Sequence, residues 1–202
     1  MDVKVKSVID ELDVKIANES KKMLSQKTFD PDDYALAAGP DSAGLIAQLI
    51  RVMKAKTIVE VGTSIGYTAI WLGDAARDVG GHVFGVEKVK KKYDQAIKNI
   101  RNAALEKYID VAHDDAKVFL NKIEKKIDVA FVDAWKDDYM FYFDSLLPNL
   151  NIGGCIIADN MTYPESVREL MIKYQEYVRS KSNIKSQYLA IGSGLEMSVR
   201  VS

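Results

Sequence analysis

Thr57-Ile-Val-Glu60-Val-Gly62-Thr-Ser-Ile-Gly66-Tyr67 is the stretch that decides the fold. A short run rich in β-branched side chains enters a turn punctuated by two glycines, and a helical pattern follows from Tyr67 to Ala76. A strand that turns into a helix through glycines opens an α/β sheet and lets the backbone approach a ligand closely. A dinucleotide fingerprint would need Gly-x-Gly-x-x-Gly at this turn. The first of those positions is Glu60. An acidic residue there suits a cationic or amino-bearing ligand better than a pyrophosphate.

Strand and helix patterns alternate downstream. The periodicity predicts strands at Thr57–Val61, His82–Glu87, Ile109–Ala112, Ile127–Val132 and Gly154–Ala158. Helices are predicted between them at Tyr67–Ala76, Lys91–Leu105, Ala116–Lys125 and Tyr139–Leu147, and a further one starts at Pro164. Lys185–Ala190 and Leu195–Val201, joined by the Gly-Ser-Gly turn at 192–194, read as a closing hairpin. Alternation of this kind implies a mostly parallel sheet covered on both faces by right-handed crossovers, here with an antiparallel element at the end. Upstream, Val5, Ile9, Leu12, Ile16 and Met23 mark one face of an amphipathic helix, and a second helix follows Gly39-Pro40-Asp41. The expected organisation is one domain, with residues 1–54 as a helical cap and 55–202 as the sheet core.

The 202 residues carry a net charge of -1, with 48% apolar and 28% charged side chains. That balance is that of an ordinary globular domain and provides no global field toward nucleic acid or anionic lipid. A single cysteine, Cys155, precludes an internal disulfide framework, and no apolar run is long enough to span a bilayer. A cytoplasmic location is the expectation, with no membrane partner.

Chemistry concentrates at the ends of the predicted strands. Asp133-Ala-Trp-Lys136 follows one apolar run and Asp159-Asn160 follows another. Two carboxylates and an amide make a hard, oxygen-lined cation site. Lys136, three residues from the first carboxylate, can accept a proton from an oxygen nucleophile. Glu87 ends the second strand, where a carboxylate accepts hydrogen bonds from ribose hydroxyls, and Asp114-Asp115-Ala116 could reach an adenine edge. Asp137, Asp138, Tyr139 and Tyr142 adjoin this set and would shape an acceptor pocket.

Each feature has a plainer reading. Gly62 and Gly66 could serve the turn alone, Glu87 could be a solvated strand end, Asp133 could cap a helix and Asp159-Asn160 could form a turn. Their accumulation on one edge of one sheet favours a site. His82 and His113 lack metal-ligand spacing to the acidic set, Cys155 reads as a core thiol, and the run Lys88, Lys90, Lys91, Lys92 reads as a solvated helix start.

Together these residues carry a resemblance. Glu60-Val-Gly-Thr-Ser-Ile-Gly-Tyr67, Phe131-Val-Asp-Ala-Trp-Lys-Asp-Asp-Tyr139, Ile157-Ala-Asp-Asn-Met161 and Gly194-Leu-Glu196 resemble class I S-adenosylmethionine-dependent O-methyltransferases. Within that class they resemble the cation-dependent branch of catechol and caffeoyl-coenzyme A O-methyltransferases, nearest to the catechol enzymes, over roughly residues 34 to 202. The resemblance implies a Rossmann-like seven-stranded sheet with an antiparallel last strand. It implies a cofactor site formed by Glu60, Gly62, Thr63, Ser64, Gly66, Tyr67, Thr68, Glu87, Asp115, Ala116, Asp133 and Trp135. Asp133, Asp159 and Asn160 would hold Mg²⁺ or a similar divalent ion, and Lys136 would be the general base. Trp135, Lys136, Asn160, Pro164 and Glu196 would meet a hydroxylated aromatic acceptor, with Glu196 on its second hydroxyl. Ala134 stands where the catechol enzymes commonly carry a histidine near the adenine. Family pairing habits suggest a homodimer. A tRNA wobble-nucleoside O-methyltransferase, a nicotinamide-dependent oxidoreductase and a non-catalytic cofactor-binding module are the competing readings, with salt-sensitive tRNA binding or dinucleotide binding as discriminants for the first two.

Overall fold

The computed structural model describes all residues, 1–202. Its elements in chain order are helices α1 (Val3–Leu24) and α2 (Gly39–Met53), then strand β1 (Thr57–Val61), α3 (Tyr67–Val79), β2 (His82–Glu87), α4 (Lys90–Asn102), β3 (Ile109–His113) and α5 (Ala116–Leu120). They continue with β4 (Ile127–Val132), α6 (Tyr139–Leu146), β5 (Leu150–Ala158), α7 (Arg168–Arg179), β6 (Ile184–Leu189) and β7 (Leu195–Arg200). The seven strands form one sheet in the order β3-β2-β1-β4-β5-β7-β6. Pairings among β1 to β5 are parallel, and β7 runs antiparallel to both β5 and β6.

The core lies on both sheet faces. Ile58, Val83, Val129, Phe131, Cys155 and Ile157 point one way and pack under α1 to α4. Val59, Val61, Val86, Ala130, Val132, Ile156 and Ala158 point the other way, under α5 to α7. This is the period of two along a strand buried on both sides. The N-terminal helices share the first of these clusters through Val5, Val8, Ile9 and Leu12 of α1 and Ala43, Ile46, Ala47 and Ile50 of α2.

Several boundaries differ from those predicted. The helix expected to reach Lys125 stops at Leu120, and the Ile123 carbonyl accepts from Asn149 Nδ2 at 2.7 Å instead of continuing a helical ladder. β5 begins at Leu150, not Gly154; a register shift opposite Ile127–Val129 and Gly153 at φ +81° carry the chain through an irregular start. α3 runs on to Val79, where Gly80 caps it in the left-handed region. The helix expected from Pro164 opens as a short 3₁₀ turn at Glu165–Val167 before α7.

Strand order reverses at β1, which is flanked by β2 on one side and β4 on the other. The crevice beyond the carboxyl ends of such strands is where open α/β sheets bind ligands. No helix is long and apolar enough to cross a membrane.

Candidate active site

Val61, Val132 and Ala158 lie side by side in the last fully paired row of β1, β4 and β5, and Val61 also pairs with Val86 of β2. One residue further on, Glu87, Gly62, Asp133 and Asp159 are delivered together to the sheet's carboxyl edge. The ladder extends that far: Asp133 N donates to Val61 O at 2.9 Å, Asp159 N to Val132 O at 3.0 Å, and Gly62 N to Val86 O at 3.2 Å. These four residues, all singled out from sequence, are thereby placed by strand register and not by their own side chains.

Backbone geometry at this edge is specialised. Gly62 has φ +94°, and a Cβ there would stand 2.2 Å from Asp133 O and 2.8 Å from its carbonyl carbon. Glycine is required because the glycine turn passes against the peptide that carries the first carboxylate. Gly62→Ala is therefore expected to displace Asp133, at a cost of about 1–3 kcal/mol, and to weaken cofactor and cation binding together. Urea unfolding and calorimetric titration check this; unchanged binding would show that the close approach is not needed. Ser64 at φ +49° and Asn160 at φ +67° also occupy the left-handed region, an unfavourable conformation that concentrates at ligand sites. Gly66, at φ +86°, caps α3, and a Cβ there would press on Ala96 of α4.

Unsatisfied buried polar groups gather at the same edge. Both oxygens of Glu60, both of Asp159, Thr63 Oγ1 and Ser64 Oγ have no hydrogen-bond partner; the only others in the chain are Ser42 Oγ and Trp71 Nε1. Native proteins rarely leave such groups orphaned, and their concentration at this edge fits a bound ligand. Burial, reinforced by the Asp133 charge, pushes the Asp159 carboxyl up to about 8. Burial does the same to Glu60, also to about 8, with the neighbouring Thr63 hydroxyl acting in the opposite sense. Between Glu60's ordinary value of 4.5 and about 8, the unfolded chain ionises this group while the folded chain keeps its proton. Cofactor-free protein therefore loses stability as pH rises through that window. Glu60→Gln is expected to raise the thermal midpoint of cofactor-free protein at about pH 9 and to change it little at about pH 5. Scanning calorimetry at both pH values checks the sign; an equal effect at both would contradict the burial account.

Glu87 is largely buried and accepts from Ser64 N at 2.8 Å and Val89 N at 2.7 Å, tying the glycine turn to the start of α4. Lys136 Nζ donates to Asp133 Oδ1 and to Ala134 O, each at 2.9 Å. No three His, Cys, Asp or Glu side chains gather anywhere to hold a metal. The donor set is two carboxylates completed by an amide, and the orphaned Asp159 oxygens suit a hard divalent cation beside Asp133 and Asn160.

Other expected residues fall in more varied places. Trp135 stands 64% exposed beside the site. Thr68 is buried in the first turn of α3, and the Tyr67 hydroxyl donates to Asp13 Oδ1 of α1 at 2.8 Å. Asp115 caps α5, with Ala116 as its first residue, and pairs with Lys88 at 2.9 Å. Pro164 follows a cis peptide bond and is exposed, as is Tyr163.

Glu196 is not where it was expected. It is fully buried and pairs in register with Ala158, whose side chain faces α6 and α7. Directly opposed residues point to the same face of a sheet, so Glu196 faces α7. There it accepts from Arg179 Nε and an Arg179 terminal nitrogen at 2.8 Å each, Gln175 at 2.7 Å and Ser186 at 2.6 Å. A carboxylate so fully engaged has no free lone pair to offer an acceptor hydroxyl. Tyr139 and Tyr142 are likewise buried in the core face of α6 and do not line an open pocket.

Two positioning residues were missed. A Cβ on Gly85 of β2 would meet Thr63 Oγ1 at 2.5 Å and Glu60 Oε2 at 3.4 Å; a glycine inside a strand was the available signal. Asn99 Nδ2 of α4 donates to Ile65 O in the glycine turn at 2.8 Å, and nothing in the sequence distinguishes it.

A sequence profile of the O-methyltransferase family matches residues 11–200. The chain belongs to this family and is by class an S-adenosylmethionine-dependent O-methyltransferase. The match begins inside α1, well ahead of residue 34, so the N-terminal helices are part of the family pattern. Among curated relatives, a flavonoid 3',5'-methyltransferase of Vitis vinifera is 28% identical, with 91% of this chain and 88% of that protein aligned. A caffeoyl-CoA O-methyltransferase of Populus kitakamiensis is 26% identical over 80% of this chain and 77% of that protein. The fold is shared with an O-methyltransferase from Bacillus cereus solved with S-adenosylhomocysteine, at 23% identity and TM-score 0.73 over 93% of this chain and 99% of that one. It is also shared with TomG from Streptomyces achromogenes, solved with S-adenosylmethionine, at 18% identity and TM-score 0.75 over 94% and 98%. Family membership sets aside the oxidoreductase reading.

Proposed function

We propose that this protein transfers the methyl group of S-adenosylmethionine to one hydroxyl of a catechol-like aromatic diol, with Mg²⁺ or a similar divalent cation held by Asp133, Asp159 and Asn160. The observation that carries the reading is the pair of unpartnered Asp159 oxygens beside Asp133 and Lys136. Phenolic acceptors are named for relatives such as the flavonoid and caffeoyl-CoA enzymes, which supports an acceptor of that chemical kind.

S-adenosylmethionine, when bound, supplies a methyl carbon already activated by its sulfonium. A divalent cation, when bound, supplies positive charge beside the acceptor oxygen, as it does for metal-bound water. Without such help a phenol titrates near pH ~10 and little is ionised at neutrality. Lys136 Nζ would take the acceptor proton, a role supported by its place beside Asp133. Glu87, each of whose oxygens accepts only one backbone N–H, would accept from the cofactor ribose with a remaining lone pair, and Glu60 would face the cationic part of the cofactor. Trp135 and Pro164 flank the acceptor ring. Fixing two substrates in line supplies a further large part of the rate.

A tRNA acceptor is disfavoured by charge pairing along the basic run. Lys88 pairs with Asp115, Lys90 with Asp94 and Lys91 with Asp33, and Lys92 Nζ donates to Pro31 O. Phosphate tracks need free cations. The test is transfer of labelled methyl from S-adenosylmethionine to a panel of catechols, with and without Mg²⁺, beside bulk tRNA. Cation-dependent labelling of a catechol supports the reading; labelling of tRNA alone overturns the acceptor assignment.

A further inference from the structure

Lys136 Nζ sits 2.9 Å from Asp133 Oδ1 and 2.9 Å from Ala134 O, and it also lies over the ring of Tyr139, 5.1 Å from the centroid. These contacts differ in how they fare once the site is loaded. Asp133 cannot serve an ammonium and a divalent cation equally, because the two positive charges repel across one carboxylate. A lysine on a four-carbon stem would then be free to swing into solvent.

The Tyr139 ring is held from several sides. It is 1% exposed, and its hydroxyl donates to Val132 O at 3.2 Å, the carbonyl immediately before Asp133. Tyr174 of α7 presents a T-shaped contact to it at 5.5 Å and 76°, and Tyr142 packs beside it at 6.4 Å. A ring clamped in this way, with one face toward Lys136, offers a fixed attractive surface. Cations are held over such faces within about 6 Å, and the N–H of a neutral amine is directed there more weakly. The surface therefore serves both protonation states of the nitrogen.

We propose that Tyr139 is a positioning residue whose ring face keeps Lys136 at the acceptor when Asp133 is engaged by a divalent cation. The inference rests on the reading of Lys136 as the base. It adds that the aromatic layer Tyr139–Tyr174 is part of the active-site apparatus and not only core.

Reductive ¹³C-methylation of the intact protein tests this directly, with the Lys136 signal assigned by its loss in Lys136→Arg. The signal should lie upfield of the other lysines through the ring current, and should stay upfield when Mg²⁺ alone is added. Tyr139→Leu should then lower kcat roughly tenfold with the KM for S-adenosylmethionine unchanged, and Tyr139→Phe, which keeps the ring, should restore kcat. A Lys136 signal that joins the solvent-exposed lysines on addition of Mg²⁺ overturns the proposal, whether or not the leucine variant folds. Wild-type kcat in a folded Tyr139→Leu protein also overturns it. If Lys136→Met itself keeps full turnover, the base reading fails, while the Lys136 signal still decides whether the ring holds the nitrogen.

Discussion

Replacing Lys136 by methionine is expected to lower turnover by a factor of roughly a hundred to ten thousand, the range for loss of a positioned general base, while S-adenosylmethionine still binds. Methionine fills similar space and cannot accept a proton. The same change removes a positive charge 2.9 Å from Asp133 Oδ1. Cation affinity should therefore hold or increase, because Asp133 no longer has a competing partner. That pattern separates loss of the base from loss of the cation site. Single-turnover transfer, cofactor calorimetry and Mn²⁺ binding measured on one preparation give all three readouts. Turnover near the wild-type level would remove Lys136 from the mechanism, and a fall in Mn²⁺ affinity would mean that Lys136 supports the carboxylates instead.

Removal of the divalent cation has the second large expected effect. Chelation should abolish transfer to a catechol, and Mg²⁺ should restore it, because Lys136 alone faces a phenol whose proton leaves only near pH ~10. Asp159→Asn should lower Mn²⁺ affinity at least tenfold and turnover in parallel, without a cost in the stability of the cation-free fold. That combination is unusual for a change at a residue only 1% exposed. It follows because the wild-type carboxylate has no partner and is pushed up to about 8 by burial and by Asp133. The amide keeps the shape and carries no charge to desolvate. Transfer that persists through exhaustive chelation, or an Asp159→Asn protein that melts well below wild type, would contradict this account.

The parts of this structure that were legible in the sequence are those in which chemistry and burial coincide. β1, β2 and β4 kept their predicted bounds because strands buried on both faces read as short, largely apolar, β-branched runs, bounded here by Gly62 after β1, Glu87 at the end of β2 and Asp133 after β4. The placement of Gly62, Glu87 and Asp133 on one sheet edge was legible for the same reason. β5 was not, since Asn151, Gly153 and Gly154 give its first half the look of a loop, and a bulge conceals its pairing. Glu196 shows the deeper limit. Whether that side chain faces the acceptor or α7 depends on a single residue of register against β5, fixed by the bond from Met161 N to Gly194 O and the pairing of Ala158 with Glu196. Arg179, 17 residues before Glu196, gives no sign in sequence that it will neutralise that carboxylate. Likewise Asn99 and Gly85 act on the glycine turn from other elements, and only their tertiary neighbours disclose it.

The central claim is that Asp133, Asp159 and Asn160 hold one divalent cation where the acceptor oxygen must sit. Crystals grown with Mn²⁺, S-adenosylhomocysteine and a catechol, read at the manganese absorption edge, test it most directly. The account predicts one anomalous peak bounded by these three side chains, with catechol oxygens completing its shell and Lys136 Nζ within hydrogen-bond reach of one of them. Catechol bound beside Lys136 with no anomalous peak at the three side chains would contradict it.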